Sequence, residues 1–246
     1  KEVFEIMVES GDTPKKIIVS KGLKQQSDPK KLEKMIDQIL TKNKEKVDQY
    51  KSGKVKLFGF HFTNMDIRQD SRIHTQVIAE VLEAAKSGKL GDSVKGKIPN
   101  NYEKLSESKQ IDVLTQLEGN IDPGLFETEI VRETLKSFYV MKTIQEENGE
   151  TGCHRYIISN TQSSKNMFEV YALARMCGWE KDKMTFDIVP LLETVEDLAN
   201  GEDIFNFMYS HPVYVEHLKK RNKRQYVMLG FSDGTKDGGY LKANWS

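Results

Sequence analysis

Four side chains in this 246-residue sequence carry charge at the ends of apolar, strand-like runs, and their chemistry is that of anion and hard-cation binding. Arg68 follows a strand expected to end near Met65, and its planar guanidinium fork suits a phosphate or a carboxylate. Spacing alone allows a salt bridge from Arg68 to Asp66 or Asp70 equally well. Glu193 leaves the run Ile188-Val189-Pro190-Leu191-Leu192. A carboxylate at the end of a buried strand must be paired, hydrogen-bonded or metal-bound. The plainer reading is an acid at the start of the next helix, where Glu196 and Asp197 also sit. Asp233 follows Val227-Met228-Leu229-Gly230-Phe231, with Gly234, Gly238 and Gly239 close by to let backbone approach a ligand. An ordinary Gly/Asp turn has the same composition. Glu193 and Asp233, on different strand ends, can share one Mg²⁺-like cation, and Lys236 adds a point charge for an anion.

The elements that must position these groups alternate. The apolar residues at 55–62 are strand-like, and Val77, Ile78, Val81, Leu82 and Ala85 recur at helical spacing. Residues 89–104 read as a loop. Helical stretches follow around 111–117 and 125–144. Beyond Asn148-Gly149 come a strand at 154–159, a helix at 163–177 and a strand at 184–192. Helical pieces occupy 194–200, 202–209 and 212–221, and a last strand spans 226–231 before a Gly-rich loop. Strands separated by helices call for a parallel sheet with right-handed crossovers, in which chemistry collects at the strand ends. The fold class expected is α/β, a partial (β/α) barrel with many helices, preceded by a small all-α module. The five histidines show no zinc spacing, and His154 at the head of a strand reads as structural. The basic run 219–224 reads as a solvated helix end. Phosphate-loop, dinucleotide and Cys-x-x-Cys motifs are absent from the sequence.

The formal net charge of zero conceals an asymmetry. Residues 1–60 hold 14 lysines, no arginine and 9 acids, a net of +5, and the remainder carries −5. That first segment reads as short helices with start signals at Thr13-Pro14 and Asp28-Pro29, and Asn43 can cap another. With 37% hydrophobic and 30% charged residues the chain reads as soluble, and no apolar run approaches a membrane span. Cys153 and Cys177 lack ligand spacing and allow at most one bridge, which favours a reducing, cytoplasmic setting. The opening Lys1 and the closing Trp245-Ser246 in mid-pattern suggest a fragment.

From Phe58 onward the chain resembles phosphoenolpyruvate carboxylase. Four ordered blocks carry the likeness: Phe60-His61-Phe62 leading into Asp66-Ile67-Arg68-Gln69-Asp70-Ser71-Arg72-Ile73-His74, Tyr156-Ile157-Ile158-Ser159 through Asn166, Val189-Pro190-Leu191-Leu192-Glu193-Thr194, and Gly230-Phe231-Ser232-Asp233-Gly234-Thr235-Lys236-Asp237-Gly238-Gly239. The resemblance implies that Glu193 and Asp233 bind Mg²⁺ or Mn²⁺, and that Arg68 and Lys236 line a site for phosphoenolpyruvate and bicarbonate. It implies attack of bicarbonate on the substrate phosphate, giving carboxyphosphate and an enolate, and then capture of carbon dioxide to give oxaloacetate. It also implies a homo-oligomer. The family's essential histidine lies upstream of the arginine motif, and its glycine-arginine-rich loop lies beyond Ser246, so this stretch is expected to be inactive alone.

Residues 1–60 resemble the C-terminal tail domain of the tRNA-dependent aspartyl/glutamyl amidotransferase, through Lys21-Gly22-Leu23-Lys24-Gln25-Gln26-Ser27-Asp28 and Val47-Asp48-Gln49-Tyr50-Lys51-Ser52-Gly53-Lys54. That resemblance implies a non-catalytic tRNA contact, which suits the positive charge. Two domains are therefore expected, a helical module at 1–57 and a partial carboxylase barrel at 58–246. The alternative is a chain whose only function is tRNA binding.

Overall fold

The computed structural model describes residues 29–45 and 64–245, together with Lys16. The chain divides into two compact units, residues 1–59 and 60–246. In the first, helix α1 spans Pro29–Lys42 and begins at the Asp28-Pro29 signal, where proline's fixed φ is already helical. The other expected helices of this unit, and the strand-like residues at 55–62, lie outside the described residues.

The second unit is built on a four-stranded parallel sheet. Its strands are β1 (Asp66–Asp70), β4 (Arg155–Ser159), β5 (Asp187–Leu192) and β6 (Met228–Leu229), ordered β1-β4-β5-β6. Each new strand adds at the same edge, with no reversal of order. Such a singly wound sheet is a partial α/β barrel rather than a doubly wound fold. The first crossover is long. It holds helix α2 (Ser71–Lys86), a two-residue antiparallel pair β2 (Val94–Lys95) and β3 (Glu118–Gly119), helix α3 (Glu107–Leu114) and helix α4 (Glu129–Asn148). Helix α5 (Ser164–Met176) connects β4 to β5. Helices α6 (Val195–Ser210) and α7 (Pro212–Lys220) connect β5 to β6, and α8 (Phe231–Trp245) follows.

The pleat sorts side chains between two faces. Tyr156, Ile158 and Ile188 point into the main core, among Val77, Val81, Leu135, Phe138 and Phe168 of the helices. Ile157, Val189 and Leu191 form a small cluster on the opposite face, with Met228 against it. All six residues of β5 are buried, as expected of a parallel strand covered on both sides. Both cysteines are buried and free.

Three boundaries differ from the sequence reading. The strand before α2 runs through Asp66–Asp70, so Arg68 sits inside β1 and not past its end. The apolar run 226–231 yields only Met228–Leu229 as strand, and the expected Gly-rich loop is the first part of α8. Gly239, at φ 78°, kinks that helix in a conformation open to glycine. The two helical pieces around Gly201 are one helix, because the missing side chain leaves room for Leu192; a Cβ there would lie 3.2 Å from Leu192 Cδ1.

Candidate functional site

The residues with chemistry converge from β1, the end of β5 and the start of α8. Arg68 Nη2 donates to Glu193 Oε1 at 2.9 Å, bridging positions 125 residues apart. Neither of the local bridges available to Arg68 forms. Arg155 faces Asp66 at 3.7 Å, and Arg72 holds Asp70 through two bonds of 2.9 and 2.7 Å. Asp70 also caps α2 by accepting from the Arg72 backbone N–H at 2.9 Å. The Arg72 bonds hold the Asp70 carboxyl below its ordinary range.

Glu193 follows β5 directly, and both of the roles open to it are partly filled by others. The acid at the start of α6 is Asp197, whose Oδ2 accepts from the backbone N–H groups of Glu193 and Thr194 at 3.1 and 3.0 Å. Thr194 Oγ1 accepts from Asp197 N at 3.0 Å, completing a reciprocal cap. The Glu193 carboxylate is thereby left free of capping duty and points toward Arg68. Desolvation raises its pKa, Arg68 pulls the other way, and the charges of Asp233, Asp197 and Asp70 raise it further.

Asp233 and Lys236 lie on the first turn of α8, 3.4 Å apart and both exposed. Their helix lies directly against the backbone around Glu193. Gly230 N donates to Leu192 O at 2.8 Å. A Cβ on Gly230 would lie 3.1 Å from Glu193 Cα, and one on Gly234 would lie 3.4 Å from Glu193 O. These glycines are needed for the close approach of two backbones. Asp233 thus comes near enough for its charge to be felt at Glu193, as the cause of the pKa shift shows. Among the four residues singled out from sequence, Arg68 and Glu193 touch, Asp233 faces Glu193 electrostatically, and Lys236 pairs with Asp233.

The donor chemistry fits a hard divalent cation. Among the described residues no three of His, Cys, Asp and Glu gather at one point. Two carboxylates with water and substrate oxygens are, however, an ordinary Mg²⁺ environment, and Glu193 and Asp233 supply them. Sequence reasoning missed Asp197 as a capping residue, although Thr194-Val195-Glu196-Asp197 carries the spacing of a capping box. It also missed Asp237, whose Oδ2 accepts from Val195 N at 3.0 Å and for which no local signal exists.

The opposite ends of the same strands hold a different cluster. Arg221 donates to Asp187 through two bonds of 2.7 and 3.2 Å and to Glu150 at 2.6 Å. The sequence reading placed Arg221 on a solvated helix end; only 11% of its side chain is exposed. His154 meets Thr151 O at 3.3 Å, in keeping with a structural role.

A singly wound parallel sheet with paired carboxylates and an arginine at its strand ends defines a member of the α/β-barrel class, built to hold an anion beside a cation. The sequence comparisons narrow this class. Residues 29–246 match the family model described as phosphoenolpyruvate carboxylase. A phosphoenolpyruvate carboxylase from Rhodothermus marinus is 33% identical over 205 residues, spanning 77% of this chain and 21% of the relative. The chain belongs to the phosphoenolpyruvate carboxylase family. It covers about a fifth of the length of that curated relative. The family match starts at residue 29, within the segment whose motifs resemble the amidotransferase tail.

Proposed function

We propose that this chain supplies the cation- and phosphate-binding strand ends of a carboxylase that converts phosphoenolpyruvate and bicarbonate into oxaloacetate and inorganic phosphate. The observation that carries this reading is the Arg68–Glu193 contact across β1 and β5, with Asp233 facing the same carboxylate. In the reaction, a bicarbonate oxygen forms a bond to the substrate phosphorus while the bond from phosphorus to the enol oxygen breaks. Carboxyphosphate then separates into carbon dioxide and phosphate, and C3 of the enolate forms the new carbon–carbon bond.

In this reading Glu193 and Asp233 hold Mg²⁺ or Mn²⁺, which supplies concentrated positive charge for the oxygen that becomes anionic. Arg68 leaves Glu193 to orient the phosphate through its guanidinium fork. Lys236 leaves Asp233 to fix the bicarbonate as a neighbouring anion. Fixed charge at the place where charge develops is the contribution that a site of this composition makes best. Residues 58–246 form the barrel portion, residues 1–57 form a separate module, and the protein works in the cytoplasm. No described helix is long and apolar enough to cross a membrane.

The test is Mn²⁺ binding by this chain, alone and with phosphoenolpyruvate, in Glu193→Gln and Asp233→Asn variants. Each variant is expected to weaken Mn²⁺ at least about tenfold, because one of two anionic ligands is lost. Unchanged affinity in both would overturn the reading. Oxaloacetate formation by this chain alone is expected to stay undetected, since other parts of the relatives complete the site.

A further inference from the structure

Glu193 and Asp233 come from different elements, so something must set the distance between them. We propose that Asp237 is a positioning residue that locks the start of α8, with its Asp233 and Lys236, onto the start of α6, which follows Glu193. This rests on the cation-site reading above.

Three observations carry it. Asp237 Oδ2 accepts from Val195 N at 3.0 Å, so a side chain of α8 caps the first residue of α6. An anion at a helix N-terminus is favoured both by the free N–H groups and by the dipole. Secondly, the neighbouring residue permits no slack. A Cβ on Gly238 would stand 2.4 Å from Val195 Cγ2, so the α8 backbone lies directly on the residue that Asp237 binds. Thirdly, the caps divide the labour. Asp197, on α6 itself, takes the N–H groups of Glu193 and Thr194, whereas Val195 N is taken from the other element.

The geometry has a mechanical consequence. Asp233 and Asp237 are one turn apart on α8, and Glu193 and Val195 are two residues apart in chain. The Asp237–Val195 bond and the Gly230–Leu192 bond of 2.8 Å therefore flank the two candidate ligands on both sides. With both bonds in place, the segment carrying Asp233 cannot slide along the segment carrying Glu193. Groups that orient metal ligands without touching the ion commonly matter about as much as a ligand hydrogen bond does.

The experiment measures Mn²⁺ affinity of this chain by electron paramagnetic resonance for Asp237→Ala and Asp237→Asn, beside Glu193→Gln. Amide hydrogen exchange at Val195 is followed in the same samples. The alanine variant is expected to weaken Mn²⁺ about tenfold and to speed exchange at Val195. The asparagine variant keeps an acceptor oxygen and is expected to stay within about threefold of the unmodified chain, because the bond and not the charge is what positions. Circular dichroism and the melting midpoint establish that each variant is folded. Loss of Mn²⁺ affinity in Glu193→Gln with none in Asp237→Ala would overturn the positioning role while leaving the cation site standing. An equal loss in Asp237→Ala and Asp237→Asn would also overturn it, in favour of the Asp237 charge acting directly on the ion. If Glu193→Gln itself changes nothing, the cation-site reading fails first.

Discussion

Strand β5 begins with one carboxylate and ends beside another, and the two are treated in opposite ways. Asp187, its first residue, is met by Arg221 through two bonds, and only 6% of its side chain is exposed. Glu193, just after its last residue, is met by a single Nη2 of Arg68, with 24% of its own side chain and 54% of the arginine's exposed. At the first end the acceptor capacity is consumed inside the protein, and Glu150 takes what remains of the arginine. At the second end, valence is left over. A structural ion pair is closed; a binding site is an ion pair that the fold leaves unfinished.

The sharpest way to break this comparison is to remove one partner at each end. Asp187→Ala leaves Arg221 buried with only Glu150, and breaking a buried pair in this way costs about 3–5 kcal/mol. Urea denaturation should register that loss as a large fall in the midpoint, or as failure to fold. If Asp187→Ala melts like the unmodified chain, the Asp187 end is no more closed than the Glu193 end.

Much of this contrast is legible in the sequence, and the remainder is hidden for physical reasons. The strand expected at 154–159 is observed at Arg155–Ser159, because a short apolar run between Gly149 and the Ser163 cap has few other options. Charge at strand ends points to Arg68, Glu193, Asp233 and Lys236. It does not reveal their pairing, since Arg68 and Glu193 are 125 residues apart and only the sheet order brings them together. β1 is the strand least visible in the pattern. Its Asp-Ile-Arg-Gln-Asp sequence lacks apolar alternation because it stands at an edge with most of its side chains partly or fully exposed. At the other edge, the apolar residues of 226–231 are largely outside the core, with Leu229 63% and Phe231 57% exposed, so hydrophobicity overstates the strand. Arg221 is misread from sequence because nothing local reveals a partner 34 residues away.

A pH titration sharpens the comparison at the closed side of the molecule. His217 lies behind Asp187, 4% exposed, and burial pushes its pKa down to about 4. His74, fully buried against Tyr156, is pushed down to about 3. Both rings are neutral when folded, while an unfolded histidine protonates near 6.5. Between those values the unfolded chain binds more protons, so stability falls as the pH drops below about 6.5. Each ring contributes about 1.4 kcal/mol per pH unit. His217→Gln should flatten the slope of stability against pH between 6 and 4. A slope unchanged in both His217→Gln and His74→Gln would contradict neutral burial of the rings.

At the open end, the close approach of β6 to Glu193 is the next feature to test. Gly230→Ala puts a Cβ within 3.1 Å of Glu193 Cα, against backbone that cannot swing away. Overpacking of this kind costs about 1–3 kcal/mol and should displace Glu193 from Asp233. The expected outcome is a lower melting midpoint together with weaker Mn²⁺ binding. A fall in stability with Mn²⁺ affinity intact would separate the packing of the strand end from the cation site.

The smallest expected effect on stability is the most informative about what the open end is for. Arg68→Met removes a pair that is half exposed on the arginine side, and such pairs are worth about 0–1 kcal/mol. The denaturation midpoint should therefore barely move, in contrast to Asp187→Ala. Cation binding should respond in the other direction. Arg68 competes for Glu193 Oε1, so its removal frees an oxygen and takes a positive charge away, and Mn²⁺ should bind the variant more tightly in the absence of substrate. Phosphoenolpyruvate should then lose much of its ability to strengthen Mn²⁺ binding, because the guanidinium that links phosphate to carboxylate is gone. By linkage, the loss must appear equally in the effect of Mn²⁺ on phosphoenolpyruvate affinity. If Arg68→Met costs several kcal/mol and leaves both affinities unchanged, the Arg68–Glu193 pair is a closed structural bridge like Asp187–Arg221, and the two ends of β5 are alike after all.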